Sequence, residues 1–131
     1  MRAINPQELG APKGYSNGQL APAGSSLLFV AGQIGWDTDQ QLVSDNFAAQ
    51  FGQALTNVLT VVRAAGGQAE HIARLTIYVT DKQEYLADLR GLGEVYRRVL
   101  GRHFPAMTLV EVSALVEPGA KIEIEATAAI P

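Results

Sequence analysis

The sequence predicts an α+β fold: a β-sheet backed by two helices, formed by all 131 residues as one domain, 1–131. Three observations predict it. An apolar stripe at helical spacing runs through Phe47, Phe51, Leu55, Val58 and Val62. Strict alternation marks Arg74–Thr80 and Lys121–Ile130 as strands with two distinct faces. Glycine and proline at Gly10, Pro12, Gly14, Gly18, Pro22 and Gly24 leave the first part of the chain room only for short strands and turns.

In chain order, Gly18–Ala21 and Ser26–Ala31 read as two strands with Pro22-Ala23-Gly24 turning between them. Residues 32–41 read as an irregular loop rich in Asp, Thr and Gln. The first helix starts near Ser44 or Asp45, either of which can cap it, and closes at Gly66-Gly67. In the Arg74–Thr80 strand, Leu75, Ile77 and Val79 alternate with Thr76, Tyr78 and Thr80. Asp81 and Glu84 then form a capping-box pattern that opens a second helix carrying Tyr85, Leu89, Leu92, Tyr96 and Val99. Gly91 and Gly93 interrupt that helix at about 1 kcal/mol each relative to alanine, which points to close packing against a sheet or neighbour. Gly101 ends it and Pro105 prevents its resumption. Met107–Leu115 and Lys121–Ile130 read as a strand pair joined by a turn at Glu117-Pro118-Gly119. Two helices on one face leave the other face of the sheet, with its Thr, Glu, Leu and Met residues, too apolar to sit fully in water. The expectation is self-association through that face.

Composition limits the chemistry. With no cysteine, disulfides, thiolate catalysis and sulfur-ligated zinc are excluded. A net charge of −3 argues against nucleic acid as the main partner, because such binding needs a basic face. The N-terminus lacks the apolar run of a secretory signal, and no stretch approaches the roughly 20 apolar residues of a membrane span, so a soluble cytoplasmic protein without a membrane partner is expected. The two histidines, His71 and His103, lie far apart in sequence and outside any metal-ligand spacing; His71 reads as a solvated or hydrogen-bonded loop residue. No nucleophile elbow, phosphate loop or dinucleotide fingerprint is present. Arg97, Arg98, Arg102 and His103 form the basic cluster of the chain and read as cations complementing a helix C-terminus, with an anion- or RNA-binding role as the lesser alternative. Glu111, Glu123 and Glu125 stand in apolar strands, where a glutamate must face water, find a partner or be held for chemistry.

The run Phe104-Pro105-Ala106-Met107-Thr108-Leu109-Val110-Glu111-Val112, followed by Lys121-Ile122-Glu123-Ile124-Glu125-Ala126, resembles the RidA family of reactive-intermediate deaminases, also known as YjgF-like or L-PSP-like proteins. Gly14-Tyr15, Val30-Ala31-Gly32-Gln33-Ile34, Asn57-Val58 and Ala65-Gly66 extend the resemblance over nearly the whole chain, in order. It implies a chorismate-mutase-like fold, a mixed sheet backed by two helices and assembled as a homotrimer, with ligand clefts between subunits. It also implies cofactor-free hydrolysis of enamines and imines to 2-keto acids and ammonia. Glu123 corresponds to the glutamate that positions the attacking water, and Tyr15 to a tyrosine lining the cleft. Gly32 and Gln33 correspond to the turn beside the cleft, where Ala31 replaces a small hydroxyl residue common in the family.

One departure matters most. Met107 stands where deaminating members carry the arginine that grips the substrate carboxylate. A charge-assisted hydrogen bond is worth about 1.5–3 kcal/mol, so its loss weakens binding on the order of ten- to a hundredfold. Methionine makes that end of the cleft apolar and adaptable. Arg74 or Arg102 of a neighbouring subunit is the candidate to restore the grip. The functional expectation is hydrolytic deamination of reactive imines or enamines at this diverged site. The alternatives are a non-catalytic small-molecule-binding or chaperone-like trimer and, more weakly for want of a histidine pair suited to acid–base cleavage, an L-PSP-type endoribonuclease.

Overall fold

The computed structural model describes residues 1–131. Its elements are β1 (Arg2–Ile4), β2 (Gly18–Leu20), β3 (Ser26–Gln33), α1 (Phe47–Ala64), β4 (Ile72–Val79), α2 (Lys82–Leu86), α3 (Leu89–Leu100), β5 (Ala106–Glu111) and β6 (Ile122–Ile130). Strands β1 and β2 form a small antiparallel ribbon, and the main mixed sheet has the order β3-β6-β4-β5. β6 runs antiparallel to both β3 and β4, whereas β5 runs parallel to β4. No helix is long and apolar enough to cross a membrane.

Helices α1 and α3 cover one face of this sheet. The predicted stripe of α1 is buried throughout, at Phe47, Phe51, Leu55, Val58 and Val62, against Leu75, Ile77, Ile122 and Ile124 of the strands. The helices approach closely at Gly52, where a Cβ would stand 3.0 Å from Val95 Cγ1 of α3. The cap of α1 is Asn46, whose side chain accepts from the Ala49 N–H, rather than Ser44 or Asp45; the Ser44 hydroxyl instead accepts from the Asn46 N–H at 2.9 Å. At the other end Gly66 adopts φ 88°, the left-handed conformation expected of it.

Three further expectations are corrected. β5 and β6 are not neighbours, because β4 lies between them. Residues 112–121 pass over the end of β4, tied to it by Val112 N–H donating to Val79 O and Thr80 N–H donating to Lys121 O. The two strands expected on either side of Pro22-Ala23-Gly24 are present as β2 and β3, the turn handing the chain from the ribbon to the main sheet. The second helix is two helices, α2 capped by Asp81 and α3 capped by Asp88. Glu84 does not complete a capping box but pairs with Lys121 at 3.2 Å. Finally, Gly91 and Gly93 do not face the sheet. A Cβ at 91 would clash with the capping Asp88 carboxylate, and one at 93 would stand 3.2 Å from Arg97 Nη1. Both glycines make room for polar side chains of their own helix.

The opposite face of the sheet is covered by no helix. It carries Leu27 and Phe29, which are 62% and 72% exposed, beside Arg74, Tyr78, Val110 and the two β6 glutamates.

Candidate functional site

The first half of the predicted site gathers on the helix side of the sheet, at its β5 edge. Met107 is registered against Leu75 of β4 and packs on the core. The segment ahead of β2 is pinned beside the start of β5. Ser16 N–H donates to Pro105 O at 3.0 Å, the Ser16 hydroxyl to Phe104 O at 2.6 Å, and Gln19 Nε2 to the same oxygen at 2.9 Å. This pinning brings Lys13 and Gly14 to a cavity of about 280 Å³ whose floor includes Met107, with Phe51, Tyr85 and Leu92 among its walls. Tyr96 closes one side. Its ring stacks on Phe104 with centroids 5.9 Å apart, and its hydroxyl donates to His103 O at 2.6 Å. Burial pushes its pKa well above the ordinary tyrosine range. Tyr15, 40% exposed, lies next to Gly14 but outside the cavity wall.

The second half lies on the uncovered face. A bulge in β3 between Val30 and Gln33 leaves Ala31 and Gly32 out of register with β6. The Gln33 side chain turns back to donate to Ala31 O at 3.2 Å. Gly32 comes so close to Glu123 that a Cβ there would stand 2.8 Å from Cδ and 3.0 Å from Oε2 of the glutamate. The absent side chain is thus what lets the carboxylate lie against the bulge.

The three strand glutamates now separate by their partners. Glu111 accepts from the Lys82 N–H at 2.9 Å and so caps α2. Glu125 accepts from the Tyr78 hydroxyl at 2.9 Å. That hydrogen bond raises the Tyr78 pKa, helped by partial desolvation and by the negative charges of Glu125 and Glu123. Glu123, half-buried, has neither a hydrogen bond nor an ion pair within the chain.

Met107 and Glu123 are on opposite faces of the sheet. Met107 shares the helix side with Leu75, while Glu123 is registered against Tyr78 on the uncovered side. The expectation that Met107 belongs to the uncovered face is therefore corrected by the period of two along β5. Neither replacement arginine reaches the Met107 cavity in its own chain. Arg74 contacts Thr127 on the uncovered face, and Arg102 lines a different cavity.

That other cavity, about 540 Å³, is lined by both histidines together with Arg102. His71 Nδ1 accepts from the Gln68 N–H at 2.8 Å, as expected of a hydrogen-bonded loop histidine, and His103 Nε2 donates to Ile72 O at 2.6 Å. No group of three or more His, Asp or Glu side chains is arranged to hold a metal ion.

Sequence reasoning missed several residues that shape these sites. Gln50 is fully buried, donating to Ser44 O and Gly119 O and accepting from the Lys121 N–H, and so ties two loops to α1, the one ahead of the helix and the one ahead of β6. Its signal was a glutamine interrupting an apolar helix face. The place of Arg97 on the cavity was signalled only by a glycine four residues before it.

Fold and cavities define a mixed α+β protein with a small-molecule-sized pocket under the sheet edge and a free carboxylate on the uncovered face. Residues 6–130 match the family model described as Endoribonuclease L-PSP, and the chain belongs to this L-PSP, or Rid, family. It is 32% identical over 117 residues to the human 2-iminobutanoate/2-iminopropanoate deaminase, covering 85% of this chain and 82% of the relative. Among solved structures it resembles YyfB of Yersinia pestis, a Rid-family protein of unknown function. The TM-score there is 0.84 at 32% identity, covering 98% of both chains. It also resembles Escherichia coli TdcF with bound serine, with a TM-score of 0.69 at 30% identity over 93% of this chain and 92% of that one.

Proposed function

We propose that the protein is a homotrimeric imine/enamine deaminase whose sites are assembled from two copies, the Met107 half from one and the Glu123 half from its neighbour. The observation that carries this is the free carboxylate of Glu123 lodged against Gly32, with its two β-strand companions already engaged. The separation of the two halves by the sheet supports assembly between copies, as does the apolar exposure of Leu27 and Phe29 beside Glu123.

In the proposed reaction Glu123 accepts a proton from water as its oxygen bonds to the carbon of a protonated imine. Glu123 hands that proton to the nitrogen of the resulting carbinolamine, the C–N bond breaks, and the hydroxyl proton goes to the departing ammonia, so that ammonium leaves, the carbonyl forms and Glu123 is a carboxylate again. The imine nitrogen is already an electron sink once protonated, so the residues only position water, substrate and proton. The human and bacterial relatives are named for 2-iminobutanoate and 2-iminopropanoate, which supports testing 2-imino acids first.

Ammonia release from 2-iminobutanoate generated in situ is expected in the wild type and should fall at least a hundredfold in Glu123→Gln. Mixing inactive Glu123→Gln with inactive Met107→Trp protein should restore part of the activity, since mixed trimers contain some intact sites. Light scattering should give a trimer. An active monomer, or full activity in Glu123→Gln, would overturn the assignment.

A second reading follows from the cavity that holds both histidines and Arg102, the residue types that supply an acid, a base and a phosphate-binding cation for RNA cleavage. RNA cleavage that is lost in both His71→Ala and His103→Ala, and kept in Glu123→Gln, would establish it.

A further inference from the structure

Resting on the reading of the Met107 cavity as half of the ligand site, we infer that Arg97, assisted by Lys13, supplies the anion grip that Met107 does not. The ligand is then a carboxylate carrying a bulky apolar tail. The cavity contains two cations and no acidic side chain among otherwise mainly apolar walls. The two ion pairs of the chain, His71–Glu70 and Lys121–Glu84, leave both cations without a carboxylate partner. An anion entering the cavity meets charge that no protein group has neutralised.

Gly93 explains how Arg97 gets there. A Cβ at residue 93 would stand 3.2 Å from Nη1, 3.9 Å from Cζ and 4.0 Å from Nη2 of Arg97, so the guanidinium lies folded back across the helix where a side chain would be. Leu89, Leu92, Gly93, Tyr96 and Arg97 recur at helical spacing and all line the cavity. A mid-helix glycine is unfavourable by about 1 kcal/mol relative to alanine. Here it holds open the path of the guanidinium. The grip thus comes from α3, on the far wall from the strand position where the family places it.

Apolar walls set the rest of the ligand. Met107, Phe51 and Leu92 offer a surface on which each buried methylene strengthens binding about fourfold. A branched or aromatic 2-oxo acid should therefore bind more tightly than pyruvate.

The test is calorimetric titration with 4-methyl-2-oxopentanoate, pyruvate and the uncharged 4-methylpentan-2-one. Arg97→Gln should weaken 4-methyl-2-oxopentanoate about tenfold, toward the low end for a charge-assisted bond because Arg97 sits at an exposed rim. It should leave 4-methylpentan-2-one unchanged. Arg97→Lys should recover part of the loss, and Gly93→Gln should reproduce it. Unchanged affinity for the acid in Arg97→Gln, a preference for pyruvate, or no binding of any acid by the wild type overturns the inference. Deamination surviving Arg97→Gln with unchanged KM overturns the grip and leaves the deaminase reading standing. Arg97-dependent binding without turnover supports the grip and removes the deaminase reading.

Discussion

Replacing Gly32 by alanine would put a methyl carbon 2.8 Å from Cδ, 2.9 Å from Cγ and 3.0 Å from Oε2 of Glu123. Ordinary carbon–carbon contact lies near 3.5 Å, so the glutamate must retreat by about 0.7 Å. Its end is flexible and only half-buried, so the retreat is cheap, and the change in stability should stay within about 1 kcal/mol. Catalysis is less forgiving. A misplacement of about 1 Å in a reacting group lowers rates on the order of a hundredfold. Gly32→Ala should therefore lose between about ten- and a hundredfold in kcat for ammonia release from 2-iminobutanoate, with Tm nearly unchanged. In a Glu123→Gln background the same substitution should add almost nothing, because both act on one carboxylate. A Gly32→Ala protein with wild-type kcat would refute the reasoning, as would a loss that adds in full to that of Glu123→Gln.

Two further outcomes concern the scaffold. Gln50→Ala leaves the Lys121 N–H and the carbonyls of Ser44 and Gly119 without their partner inside the protein. It should lower stability by about 3 kcal/mol and Tm by roughly 10 °C, measured by calorimetry, and an unchanged Tm would dismiss Gln50 as the tie between loops. Tyr96, with its pKa raised by burial, holds its proton more tightly folded than unfolded. Its contribution to stability is therefore complete below about pH 10 and is lost as pH rises toward the folded value. Tyr96→Phe should be about 1 kcal/mol less stable at neutral pH, having lost the bond to His103 O, yet decline less steeply under alkaline denaturation. Parallel declines in the two proteins would contradict this.

Period and punctuation alone determined the α1 stripe, the two-faced strands β4 and β6, the left-handed Gly66 and the α+β class. These are local: a 3.6-residue or two-residue repeat places side chains on faces whatever else the chain does. Family membership was legible as well, from the Phe104–Val112 and Lys121–Ala126 runs. Sheet order was not, because β5 enters parallel to β4 through a crossover, and nothing in the β5 or β6 sequence tells which strand stands between them. The partners of the glutamates were equally hidden. Glu111 and Glu125 find a backbone amide and a tyrosine hydroxyl 29 and 47 residues away, contacts that exist only once the sheet has formed. Tertiary structure alone also decided which cation meets Met107, since that depends on Gly93 standing across a cavity from a strand 14 residues further along the chain. Side-chain direction is written in the local repeat, whereas proximity between distant segments is set by packing.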